Sequence, residues 1–211
     1  MGQSVIEAHG SLFENAHGAL VFAFNFSGQS YDRPMMNRLA APAVGSGLGL
    51  VGLDGAAQAG MIRAEVRALG QLAEAILMAR IAPKTTPCHC RSACCSGMKP
   101  NREWSNAISF LADHVRKTAL HGSCTNGLMR RDYVARYFTR KADRVSLEAL
   151  AEKHEINRDT ASSHCARVAT LFGGSIARPG KQAEIGLEHV AMDAAEEKLR
   201  SSGIVGARIA A

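Results

Sequence analysis

Apolar residues recur at helical spacing through Ile62, Val66, Leu69, Leu72, Ile76, Leu77 and Ile81, and this period constrains the fold more than any other feature. A strand buries every second residue, whereas a helix buries a stripe recurring every three or four. The stripe predicts an amphipathic helix that starts at Asp54, a good capping residue, and is closed by Pro83 and Pro87. Asn101 after Pro100, with Glu103 favourable to the dipole in the first turn, opens a second helix. Its face is Trp104, Ile108, Leu111 and Val115, and it ends at His121-Gly122. Trp104, the single tryptophan, is read as a core anchor. A third helix is expected from about Leu128 to Phe138, with Leu128, Tyr133, Val134, Tyr137 and Phe138 apolar and Arg130, Arg131 and Arg136 on the surface. A late, acidic helix spans about Gln182 to Arg200.

The 211 residues suffice for one medium or two small domains, and 46% hydrophobic against 21% charged residues excludes a disordered or fibrous chain. No apolar run approaches the roughly 18 residues of a membrane helix, and Ala19 to Phe24 is too short and lacks a basic leader for a secretory signal. The start also lacks the residue N-myristoylation requires at position 6. A cytoplasmic protein is therefore expected. Residues 1 to 60 show little periodicity and many glycines, the pattern of an arm. Within them Gly47-Leu48-Gly49-Leu50-Val51-Gly52 satisfies G-x-G-x-x-G, but no hydrophobic strand precedes it, so it reads as a connector and not a dinucleotide site.

Four of the six cysteines crowd into Cys88-His89-Cys90-Arg91-Ser92-Ala93-Cys94-Cys95. Thiolates hold zinc tetrahedrally at about 2.3 Å, and four protein ligands leave no open position for a substrate water, so the expected metal is structural zinc on Cys88, Cys90, Cys94 and Cys95. One sulfur is dispensable in this scheme, with His89, or His121 and Cys124, as substitutes. Unligated cysteines and a reactive thiol site are the rival readings. Disulfides suit a reducing cytoplasm poorly, and adjacent Cys94 and Cys95 cannot pair without a strained ring.

The net charge of +6 is not diffuse. Residues 1 to 84 are balanced, whereas residues 126 to 181 hold eleven Lys/Arg against six Asp/Glu. A basic segment suits a polyanion, because each neutralised phosphate releases counterions. Two short helices are expected within it, between Val145 and Val168. Ser146 caps the first and Asn157 the second, Leu147, Leu150, Ile156, Ala161 and Val168 supply apolar seats, and Ala151 is the small residue where the helices cross. In a helix-turn-helix the second helix enters the major groove, which leaves Arg158, Asp159, Thr160, Ser162 and Ser163 as outward candidates. The plain alternative is a helix hairpin with no ligand.

This stretch resembles the helix-turn-helix of LuxR-type output domains and of sigma factor region four in the placing of Ser146, Leu150, Ala151, Ile156, Arg158, Thr160, His164 and Val168. It departs from them where Glu155 replaces the usual turn glycine and Ala161 a common valine. The resemblance covers some 25 residues and implies DNA contacts by Arg158, Thr160, Ser162, Ser163 and Arg167, with Asn157 at the head of the reading helix and His164 packed or facing phosphate. Arg140, Lys141 and Arg144 would lie beside the unit where phosphates pass, and Arg178 and Lys181 extend the same field.

The order of zinc loop, Tyr133-Val134 with Arg136-Tyr137-Phe138, reader and terminal helix is similar in layout to the late-gene antitermination (Q-type) proteins of lambdoid phages and prophages. That resemblance implies a sequence-specific DNA-binding transcription regulator, a late-gene antiterminator partnered by double-stranded DNA and by RNA polymerase or sigma factor. The alternative is a DNA-recognition subunit such as a small terminase-like packaging protein. No set of base, acid and nucleophile emerges, so no enzyme is expected. The expected fold is mainly α, a helical body with a short zinc-binding loop and a C-terminal helix-turn-helix. Its parts are an irregular glycine-rich arm over 1–53, the helical body over 54–125 with the cysteine loop at 88–97, the DNA-binding domain over 126–181, and a C-terminal helix and tail over 182–211.

Overall fold

Eight α-helices make up most of the residues that the computed structural model describes, namely 12–26, 52–88, 90, 95–177, 180 and 182–206. Two short antiparallel hairpins and one 3₁₀ turn accompany them among those residues. The described residues divide into two compact units: Leu69–Asp193 form a central unit, and those before Leu69 join those from Ala194 onward in a terminal unit.

The terminal unit contains α1 (Ala16–Asn25), α2 (Gly52–Ala68) and the closing half of α8 (Leu187–Ser201). Residues 16–25 fall in the stretch expected to be an irregular arm, and the structure corrects this. Asn15 caps α1 by accepting the Gly18 N–H at 2.8 Å, and Ala16, Ala19, Leu20, Ala23 and Phe24 are buried along one stripe. Alanine seats carry little hydrophobic signal, which hides the stripe in the sequence. Ile62 and Val66 of α2 and Ala195 and Leu199 of α8 are buried in the same unit. Glu196 accepts the Ala16 N–H at 2.8 Å, and the Gly206 N–H returns to the Phe13 carbonyl at 3.0 Å. Apart from Gly52, the first residue of α2, the G-x-G-x-x-G segment lies outside the described residues.

The single helix expected from Asp54 to Pro83 is two. It breaks at Gly70, whose φ of +96° L side chains avoid, and α3 (Gln71–Ile81) starts after it. The apolar period runs through the break and so conceals it. Asp54 lies in the first turn of α2 instead of capping it.

The central unit continues with β1 (Thr85–Pro87) and β2 (Met98–Pro100), then α4 (Arg102–Lys117), α5 (Gly127–Phe138), a 3₁₀ turn (Lys141–Asp143), α6 (Leu147–Lys153), α7 (Arg158–Gly173), β3 (Gly174–Ser175), β4 (Glu184–Ile185) and the start of α8. Asn101 opens α4 as expected: its carbonyl oxygen accepts the Glu103 N–H at 3.0 Å while its amide donates to the Pro83 carbonyl at 2.8 Å. Trp104 is half-buried, and its indole N–H fastens α4 to α3 through the Ala79 carbonyl at 3.1 Å. The α4 helix ends at Lys117, short of His121. Two surface assignments on α5 are reversed. Leu128 is exposed, and Arg130 is buried, donating from one guanidinium nitrogen to the Cys124 and Thr125 carbonyls at 2.9 and 2.6 Å.

A mixed cluster closes this unit. Tyr137, Phe138 and Phe172 stack with ring centroids 4.9 to 5.4 Å apart, and the Arg80 guanidinium lies over Tyr137 and Phe138 at 5.2 and 5.1 Å. The same guanidinium makes a bidentate ion pair with Glu188, which also accepts the Tyr137 hydroxyl at 2.7 Å. Burial alone would lower the Arg80 pKa, but the hydrogen bond and charge of Glu188 outweigh it and the net shift is upward. Residues 182–186, expected to begin the last helix, instead supply β4 and the glycine that crosses the end of α7. A Cβ on Gly186 would sit 2.2 Å from the Phe172 carbonyl oxygen and 2.4 Å from the Gly174 nitrogen.

None of the described helices is long and apolar enough to cross a membrane.

The three nearest atoms that a Gly186 side chain would meet, in Phe172, Gly173 and Gly174, are all backbone, so Gly186→Ala should lower stability in urea unfolding by at least about 2 kcal/mol. Gly60→Ala, at an exposed position inside α2 with nothing within 4 Å of the added methyl, should raise it by up to about 1 kcal/mol.

Candidate functional site: a thiol hairpin and a helical pair

Two features of the central unit carry chemistry. The first is the hairpin of β1 and β2, in which Thr85 pairs with Pro100 and Pro87 with Met98. The Cys88 N–H donates to the Gly97 carbonyl at 2.8 Å, and positive φ at Ser96 (46°) and Gly97 (76°) turns the chain back. The sulfurs of Cys88, Cys90 and Cys95 thereby lie within 4.8 Å of one another, with Cys90 and Cys95 at 3.1 Å. Three converging thiols at this separation could hold a metal ion. The Cys90 backbone N–H favours the Cys88 thiolate, but the neighbouring thiols of Cys90 and Cys95 outweigh it and push the Cys88 thiol up. A bound cation would favour the thiolate instead.

Of the other expected ligands, Cys94 and His89 lie outside the described residues. The substitutes His121 and Cys124 do not belong to the thiol group, which corrects that expectation. Cys124 is buried, its thiol 3.5 Å from the Met129 sulfur, and His121 is exposed in the turn after α4. Burial pushes the Cys124 thiol up, as suits a packed cysteine.

The second feature is the pair α6 and α7, joined by residues 154–157. Ser146 accepts the Ala149 N–H at 3.1 Å and Asn157 the Asp159 N–H at 2.7 Å, so both expected caps are present. The turn is a Schellman motif: the Ile156 N–H reaches the Ala151 carbonyl at 3.0 Å and the Glu155 N–H the Glu152 carbonyl at 3.2 Å. Glu155 occupies the left-handed position, φ 52°, where glycine is usual, so the tight turn forms despite the side chain. Leu150, Ala151, Ala161 and Val168 are buried, whereas Leu147 and Ile156 are half-buried. His154 and Lys153 both bind Asp132 of α5, at 2.8 and 2.6 Å, which moors the end of α6.

On α7, Ala161, His164, Val168 and Phe172 face inward, and the opposite stripe of Asp159, Ser163, Ala166 and Thr170 is exposed. Ala166 and Thr170 were missed in the sequence, although the spacing of four, three and four from Asp159 points to them. Thr160 is exposed and Ser162 half-buried. Arg158 and Arg167 flank the stripe. Arg158 is paired with Glu148 of α6, and Arg167 donates to the Ser123 hydroxyl at 2.7 Å. The Arg158 hydrogen bond holds the Glu148 carboxyl below its ordinary range. Arg140, Lys141 and Arg144 are exposed around the 3₁₀ turn, and Arg144 also braces it by donating to the Thr139 and Tyr137 carbonyls at 3.0 and 3.2 Å. Arg178 and Lys181 lie outside the described residues.

His164 packs edge to face on Tyr133, centroids 5.5 Å apart, with its Nδ1 3.4 Å from the phenol oxygen. Burial first, and the charge of Arg167 second, hold its imidazole below the ordinary 6.5. It is packed as expected. The unfolded chain takes up this proton near 6.5 while the native chain does not, so the contribution is present above that pH and lost below it.

Two outcomes are expected. Glu155→Gly should stabilise the protein by about 0.5 to 1 kcal/mol in denaturant titration, because the left-handed penalty disappears. Between about pH 7 and pH 5 the unfolding midpoint should fall, and it should fall less in His164→Leu, which has no proton to gain.

No protein-family model matches the chain, and neither a curated protein nor a solved structure matches it.

Proposed function

We propose that the protein is a sequence-specific DNA-binding transcription regulator of phage or prophage origin, with α6 and α7 as its helix-turn-helix. The observation that carries the reading is the pair itself: two capped helices joined by a Schellman turn, the second presenting an exposed stripe of small and polar side chains. Such a stripe can approach base edges closely, because none of Ser163, Ala166 and Thr170 is bulky. Thr160, Ser162 and Ser163 would reach bases, Arg158 and Arg167 would leave their present partners for DNA, and Asn157 would offer its amide nitrogen while its oxygen caps the helix. Arg140, Lys141 and Arg144 would take backbone phosphates.

The thiol hairpin is read as a structural zinc site on Cys88, Cys90 and Cys95, completed by Cys94. It would hold a hairpin of only three paired residues per strand that has little core of its own. A reducing, cytoplasmic compartment suits thiols in this state. Antitermination through RNA polymerase or sigma factor rests on the resemblance to Q-type proteins. The absence of a base, acid and nucleophile set in the sequence supports a binding protein over an enzyme.

Selection from a random duplex library should enrich a defined sequence, and Arg158→Ala combined with Arg167→Ala should weaken binding to it tenfold or more with nearly unchanged thermal stability. Equal affinity would sink the groove assignment. Retention of the selected fragment that depends on RNA polymerase supports the antiterminator, and retention on a packaging partner alone supports a terminase-like subunit. Elemental analysis should find one zinc per chain, and Cys90→Ser should abolish it and lower the melting temperature. Metal-free protein with an unaltered melt would remove zinc from the account.

A further inference from the structure

The helical pair is a poor polyanion binder on its own. Residues 146–170 carry three Lys/Arg against four Asp/Glu, and Glu148, Glu152, Glu155 and Asp159 are all exposed. Phosphate affinity must then come from surfaces beside the pair. Arg140, Lys141 and Arg144 supply one flank.

The other flank is a groove of about 620 Å³ at the end of α4, lined by Arg116, Lys117, His121 and Thr125 above a floor of Leu120. Arg116 and Lys117 are exposed, and no acidic side chain among the described residues pairs with either. Cations in the last turn of a helix commonly answer its dipole. Here two of the last carbonyls already have donors from the following turn, His114 from the Thr118 hydroxyl and Val115 from the Thr118 and Leu120 N–H groups, and within that turn Thr118 accepts from His121 and Leu120 from Ser123 and Cys124. The same hydrogen bonds make the groove wall a fixed turn. Ser123 of that turn holds Arg167 of α7 at 2.7 Å, so the groove adjoins the flank of the exposed stripe.

We infer that this groove binds backbone phosphates of the duplex that α7 reads, with Arg116 and Lys117 as its cations and Arg167, which lies beside it on α7, reaching the same duplex. The inference rests on the helix-turn-helix reading above. It assigns to the end of α4, together with Arg140, Lys141 and Arg144, the sequence-independent part of the affinity, and to α7 the discrimination between sequences.

The test uses the full chain and a random-sequence 30-base-pair duplex, with affinity measured by fluorescence anisotropy across a sodium chloride series. Each lost phosphate contact removes close to one unit from the slope of log affinity against log salt, so Arg116→Gln with Lys117→Gln should flatten the slope by about two. Affinity at low salt should fall about tenfold or more, with an unchanged circular-dichroism melt because both side chains are exposed. Ser163→Glu serves as the separate probe of α7, since a carboxylate on the stripe should repel the duplex. If Ser163→Glu weakens binding while the double variant keeps the wild-type slope, the groove assignment is overturned and the reading helix stands. If the wild type binds no duplex at low salt, the helix-turn-helix reading fails and the groove assignment falls with it.

Discussion

The central unit depends on one charge placed against aromatic rings. Arg80 lies over Tyr137 and Phe138 and pairs with Glu188, and Glu188 also accepts the Tyr137 hydroxyl. The interaction joins α3, α5 and the start of α8, and Phe172 brings the end of α7 onto the same rings. A partly buried pair of this kind adds little by itself, because desolvation offsets most of its attraction. Its effect is directional. The bidentate geometry and the stacked faces admit one arrangement of the helices, whereas the aliphatic core would tolerate several.

From that fixed point the exposed stripe of α7 acquires its direction. The pair is moored at two places: Phe172 holds the end of α7 in the aromatic cluster, and Lys153 with His154 holds the turn between the helices on Asp132. The β3–β4 hairpin is pressed against the end of α7 so closely that Gly174 and Gly186 admit no side chain. The proposed role of α7 in reading bases requires such rigidity, since hydrogen bonds to base edges lose their discrimination when the donors can shift.

The thiol hairpin presents a different economy. Its strands pair over three residues and are mostly exposed, so the gathering of three sulfurs cannot be a by-product of core packing. The convergence of Cys88, Cys90 and Cys95 comes from the backbone, through the Cys88 to Gly97 hydrogen bond and the positive φ of Ser96 and Gly97. Cys124, close in composition terms but buried beside Met129, shows the ordinary alternative for a cysteine.

Much of this organisation is written in local sequence. Asn101, Ser146 and Asn157 cap their helices because a short side-chain acceptor satisfies free N–H groups wherever a helix starts, and the spacing of Leu150, Ala161 and Val168 forces two helices that share a face. The density of cysteines likewise announces a thiol site. What the sequence leaves open depends on partners distant along the chain. Arg130 reads as a surface cation, yet the Cys124 and Thr125 carbonyls and the packing around α5 draw it inside. The break at Gly70 is invisible to a period that continues across it, and α1 is hidden because alanine seats acquire meaning only when another surface covers them. His121 and Cys124 are plausible ligands by residue type alone, and their distance from the sulfur cluster is decided by the path of α4. Capping, periodicity and composition act over a few residues and are fixed by the sequence itself. Burial, ion pairing and convergence of ligands act between segments, and only the tertiary structure decides them.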